Sequence, residues 1–174
     1  MGIRNQTLLE TPADMLEKLR TEASELQNTV DFDSLLYAYR TLNAAITAWH
    51  LTDWTFTALQ DVHKERLLGT FGVVVKKKSD LAKYVLKNRA VYLCCQLATS
   101  AKHVEVVQHA DESVSLDHDM KVVRRPDKGA DIYVRLIIRD GANEKHPKDV
   151  VWLAYIFWQD LLGAIGMLEH EGDI

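Results

Sequence analysis

The chain predicts an α+β fold that is mostly α: a helical bundle of about four helices, with a small antiparallel β-ribbon or sheet inserted before the last helix. Two periodicities carry that prediction. Apolar residues recur at helical spacing through residues 12–102 and again beyond Pro147. Between those stretches, over about 104–146, the apolar period drops to two and turn residues divide the segment. The change of period falls at Leu93-Cys-Cys-Gln-Leu-Ala-Thr-Ser-Ala-Lys-His103, a small-residue helical run that ends on a Lys-His pair. At 174 residues the chain is predicted to be one domain, 1–174, with enough length to bury a core.

Taken in order, Thr11-Pro-Ala-Asp14 reads as a helix start. Thr11 caps, Pro12 suits the first helical position, and Asp14 meets the positive end of the helix dipole. Met15, Leu16, Leu19, Ala23 and Leu26 then place one apolar stripe on a helix over 12–28. Asp31 or Asp33 caps a longer second helix over 33–60. Its expected core stripe is Leu35, Leu36, Tyr39, Leu42, Ala45, Ile46 and Trp49, with Leu51 and Trp54 near the far end, and Ala44, Ala45 and Ala48 let another helix approach closely. Residues 61–78 read as an irregular connector containing Gly69 and Gly72. Ser79 and Asp80 cap a third helix over 79–102, with a bend at Asn88. In the β segment, short strands are expected at Val104–Val107, Val114–Leu116, Met120–Arg124 and Ile132–Ile138. Turns are expected at Asp111–Ser113, Asp117–Asp119, Arg125–Gly129 and Asp140-Gly141. The last helix, 147–168, is apolar over so much of its circumference that it implies burial against several elements or a dimer contact.

Composition narrows the function classes. Hydrophobic residues make up 47% and charged residues 26%, the balance of a globular chain, and no apolar run reaches the length of a bilayer span. The N-terminus lacks a charged-then-apolar signal, so a cytoplasmic location is expected. Cys94 and Cys95 are adjacent, which disfavours a disulfide between them. The net charge of −4 argues against indiscriminate nucleic-acid binding. Only the middle of the chain is basic: residues 64–139 carry fifteen basic and nine acidic groups, a surplus of six. Lys76, Lys77, Lys78, Lys83, Lys87 and Arg89 concentrate there and are the candidate nucleic-acid contacts, although a solvated face explains them equally well.

Two further constellations are singled out. In Trp49-His-Leu-Thr-Asp-Trp54, His50 and Asp53 stand three apart on one helix face between two tryptophans. Such a pair serves as a general base with its orienting carboxylate, or as a satisfied structural pair. Lys102 and His103 sit at the negative end of the third helix, where the dipole alone favours cations. No Gly-rich phosphate loop or nucleophile elbow is present, and Cys and His spacing fits no zinc site, so no cofactor and no metal are expected.

The segment Leu42-Asn-Ala-Ala-Ile-Thr-Ala-Trp-His-Leu-Thr-Asp-Trp54, the helix end Leu97-Ala-Thr-Ser-Ala-Lys-His103, the following strands and the Trp158 helix together resemble bacterial and phage proteins related to the HEPN helical-bundle group, over about residues 30–168. The resemblance implies a four-helix bundle that usually dimerises. It also implies one of two activities: metal-independent RNA cleavage, or a scaffold that has lost catalysis. The group's active motif is an Arg followed within several residues by a His. Here none of Cys95, Gln96, Leu97 or Ala98 is basic, and the literal match, Arg139 to His146, lies in strand and turn rather than helix. Were the chain catalytic, His103 would be the base, Lys102 the cation, and His50 with Asp53 the orienting pair. The missing Arg, the negative charge and the apolar last helix favour a non-catalytic module that acts by protein–protein interaction, in phage–host conflict or a toxin–antitoxin system, as a homodimer or with a partner protein. The alternative is an endoribonuclease or RNA-binding protein.

Overall fold

The computed structural model describes residues 9–29, 34–102, 111–125 and 129–168. Its elements run α1 (Pro12–Asn28), α2 (Ser34–Ala58), α3 (Asp61–Phe71), α4 (Lys78–Val85), α5 (Arg89–Lys102), β1 (Val114–Arg125), β2 (Gly129–Asp140), β3 (Asn143–Lys145) and α6 (Pro147–Ile165). The protein is mostly helical with a small three-stranded antiparallel sheet, in the order β1-β2-β3, placed before the last helix. The helix count departs from the expectation: six helices stand among the described residues, not about four.

The two extra helices have local causes. The expected connector holds α3, a polar helix of which only Leu67 is buried, started where His63 Nδ1 accepts from the Gln60 N–H and stopped at Gly72 in the left-handed conformation, φ 66°. The expected third helix is two. Asp80 Oδ2 accepts from the backbone N–H groups of Lys76 and Lys77, which starts α4 a residue early. α4 ends at Val85, with Leu86 as its C-cap, and Asn88 Oδ1 then accepts from the N–H groups of Ala90 and Val91, which caps α5. The Thr11–Asp14 capping box starts α1 as the sequence indicates.

The β region also differs in detail. Asp117-His-Asp119 is not a turn but lies in the middle of β1, which pairs with β2 without interruption from Val114↔Asp140 to Arg125↔Gly129. The expected strand at 104–107 lies outside the described residues.

The core gathers around α2 and α6. Helix α2 packs on α1, α4, α5 and α6, and α6 packs on α1, α2, α3, α5 and β2. Leu19, Leu26, Leu51, Leu81, Val91, Trp158, Leu162 and Ile138 are fully buried there. The apolar surplus of α6 is thus largely absorbed: Val150, Val151, Ala154, Tyr155, Trp158, Leu161, Leu162 and Ile165 are buried, leaving Trp152 and Leu153 outside. Arg66 of α3 donates to the carbonyl of Ile165, over Gly166, whose left-handed φ of 75° closes α6. A clasp ties the sheet to the bundle. Arg89 of α5 pairs with Asp140 at the end of β2 and lies 4.5 Å over the Tyr92 ring. The Tyr92 hydroxyl donates to Asp111 at 2.7 Å, just before β1.

Candidate interaction site

Helix α2 is apolar on two opposite sides. At 100° per residue, Tyr37, Thr41, Ala44, Ala48, Leu51 and Thr55 fall in one arc of about 80°. All six are buried. Leu35, Tyr39, Leu42, Ile46 and Trp49 fall in a second arc of similar width, centred about 160° from the first. That second stripe is open at its start: Leu35 is 60% exposed and Tyr39 56%, while Leu42, Ile46 and Trp49 are half-buried and Leu42 and Trp49 pack against the core.

This corrects the expected core stripe of the second helix at its start. Of its nine members Ala45 and Leu51 are buried and Leu42, Trp49 and Trp54 pack partly buried against the core, but Leu35, Leu36 and Tyr39 are exposed, Leu36 at 41%. The cause is helix spacing. α2 is enclosed by α1, α5 and α6, and close approach of helix axes requires small residues between them. Ala44, Ala45 and Ala48, each fully buried, supply them. The bulky Leu35 and Tyr39 are left exposed. The close approach expected at Ala44, Ala45 and Ala48 is observed, and the buried Thr41 and Thr55 extend that face beyond what apolar spacing alone marks.

The outer stripe runs toward a cleft of about 440 Å³ between the start of α1 and the end of α2, lined by Glu10, Pro12, Asp53, Trp54, Thr57 and Ala58. Asp53 therefore lies at the cleft wall. Its carboxylate accepts an ion pair from Lys78 at 2.6 Å, which joins the α4 start to α2. His50, one turn earlier, is half-buried. Of the other proposed catalytic pair, Lys102 is the last residue of α5 and His103 lies outside the described residues.

The basic residues are exposed but partly answered by carboxylates. Lys76 and Lys77 before α4, Lys83 on it and Lys87 after it are exposed. Lys78 is committed to Asp53 and Arg89 to Asp140. The literal Arg-to-His match is divided between elements. Arg139 sits in β2 and pairs with Asp117 at 2.7 Å, while His146 caps α6 and its ring lies 3.3 Å from the Tyr37 hydroxyl. Cys94 is wholly buried and burial pushes its thiol up to about 12, far from a thiolate nucleophile at neutral pH.

No helix among the described residues is long and apolar enough to cross a membrane. No protein-family model, curated protein or solved structure matches the chain.

Proposed function

We propose that this chain is a non-catalytic, HEPN-like helical module that works by protein–protein interaction, with the outer stripe of α2 as its docking face. One observation carries the reading: Leu35, Leu36 and Tyr39 are exposed at the start of α2, and Leu42, Ile46 and Trp49 continue the apolar line half-buried, with Leu42 and Trp49 packed against the core. Over the fifteen residues from Leu35 to Trp49 such a line is about 21 Å long. That is the length and spacing of a surface that receives an amphipathic helix from a partner protein. Exposed apolar surface of this continuity costs free energy in an isolated chain and is offset when a partner covers it. The commitment of Asp53 to Lys78 gives that carboxylate a structural task and supports the reading without catalysis.

A photo-crosslinking amino acid at position 39, in cells that make the chain, tests the proposal. It is expected to join the chain to one partner protein, and Ile46→Lys is expected to abolish the product. The same probe at Val74, which is exposed at 56% between α3 and α4, should give none. Equal products from both positions would overturn the reading. So would His103-dependent cleavage of single-stranded RNA by the purified chain.

A further inference from the structure

The lysines around α4 form a basic block in an acidic chain. Residues 73–88 carry five lysines and one carboxylate, while the whole chain has a net charge of −4. Lys76, Lys77, Lys83 and Lys87 are exposed and make no ion pair among the described residues; Lys78 alone is answered, by Asp53.

That one ion pair fixes where the block sits. Lys78 Nζ lies 2.6 Å from Asp53 Oδ1. At 100° per residue Asp53 stands at the same angle around α2 as Leu35, midway between Leu42 and Ile46. It therefore continues the outer apolar line one turn beyond Trp49. Lys76 and Lys77 lie beside Lys78, because their backbone N–H groups both donate to Asp80 Oδ2 at 3.0 Å and turn the chain into α4 at that point. The line thus ends on three successive exposed lysines. Arg40, the one other cation of α2, is turned away from the line toward Glu25 and Thr29 at the end of α1.

We infer that the segment received by α2 is an acidic amphipathic helix of another protein. Its apolar residues follow the line from Tyr39 to Trp49, and its carboxylates meet Lys76, Lys77 and Lys78. This rests on the proposal that α2 is a docking face, and adds the chemistry of what docks there. Complementary charge at the rim of a contact selects the partner and speeds encounter more than it raises final affinity. An acidic segment is repelled by most of this chain, so the lysines also determine where it lands.

A nucleic acid is the other polyanion that lysines attract. Single strands are held by rings stacked on the bases as well as by cations. The aromatic residue among these lysines, Tyr84, is instead packed on Phe71 and Phe157, with ring centroids 5.7 and 6.5 Å away. An apolar line that leads into the cations suits a protein helix.

The test uses the whole chain with the photo-crosslinking amino acid at position 39. The probes are two synthetic helical peptides as long as the line, alike in their leucines, one with glutamates in its end turns and its twin with lysines there. A single-stranded RNA is the third probe. Fluorescence anisotropy should show the glutamate peptide binding roughly tenfold or more tightly than its twin at low salt. The preference should shrink as salt screens the exposed charges. Lys76→Glu combined with Lys77→Glu should erase or reverse the preference with unchanged circular dichroism. Arg20→Glu combined with Lys145→Glu, the same change in net charge on α1 and β3, should leave it intact. Tyr39→Ser should weaken both peptides alike.

Equal binding of the two peptides, binding of neither, or a preference that survives the Lys76 and Lys77 reversals would overturn the proposal. RNA that binds more tightly than the glutamate peptide would also overturn it and assign the lysines to nucleic acid. The two readings fail separately. Peptides that bind equally and are cross-linked from position 39 leave α2 a docking face without an acidic partner. A glutamate peptide that binds but is not cross-linked from position 39 removes the α2 face itself.

Discussion

The two faces of α2 should differ several-fold in what they contribute to stability. Leu51 is fully buried on the inner face, and truncation of such a leucine to alanine costs about 3 kcal/mol or more through lost transfer energy and the cavity left behind. Leu35 is 60% exposed on the outer face, so only about two fifths of a leucine's roughly 2 kcal/mol of burial is at stake, about 0.8 kcal/mol. With a urea slope near 2 kcal/mol/M, Leu51→Ala should lower the unfolding midpoint by about 1.5 M and Leu35→Ala by about 0.4 M. Equilibrium urea unfolding followed by tryptophan fluorescence reads both shifts, with equal slopes showing that the comparison is sound. If the two truncations cost the same, or Leu35→Ala cost more, the outer stripe would be core and the docking face would not exist.

Other consequences follow from particular contacts. Thr52 and Thr55 have hydroxyls that are buried without a partner among the described residues, so Thr52→Val and Thr55→Val should each be neutral or stabilising by up to about 1 kcal/mol, read as a raised Tm. Gly166→Ala should lose about 1–2 kcal/mol in denaturant unfolding, because φ there is left-handed and an added Cβ would collide with the Arg66 guanidinium. Asp140 is held below the ordinary carboxylate range by hydrogen bonding to Arg89. A depressed carboxylate stabilises the fold above its unfolded pKa, about 3.9, and loses that contribution as pH falls through the folded value. Asp140→Asn should therefore lower the Tm at neutral pH and make it fall less steeply between pH about 4 and 2. Cys94, with its thiol pushed up to about 12 and fully buried, should resist thiol reagents at pH about 8 until the chain is unfolded.

Local chemistry made part of the fold legible in the sequence. Thr11, Pro12 and Asp14 start α1 where their residue types direct, and Pro147 starts α6. Asn88 was visible as a bend, but that its side chain would cap a new helix depends on the two N–H groups it meets. α3 was hidden because only Leu67 is buried, which leaves almost no apolar period to read. The Asp117-His-Asp119 run carries turn-forming residues, yet cross-strand pairing with Ile137, Leu136 and Arg135 keeps it extended. That is tertiary context overriding propensity. α2 teaches most. The expected close approach at Ala44, Ala45 and Ala48 is observed, but the large Leu35, Leu36 and Tyr39 at the start of the expected stripe are left exposed. Of the proposed site residues, Asp53 could be placed beside Trp54 from spacing alone, but its ion pair with Lys78 spans twenty-five positions and left no trace in the sequence pattern.

Two tyrosines one half-turn apart offer the most direct measurement. Tyr37 is 1% exposed and Tyr39 56%. Hydroxyl-radical footprinting of the purified chain, read by mass spectrometry, should oxidise Tyr39 readily and spare Tyr37, and the bound partner should then protect Tyr39. Oxidation of Tyr37 ahead of Tyr39, or a Tyr39 as protected alone as it is in the complex, would contradict the claim that the bulky side of α2 is left open for another protein.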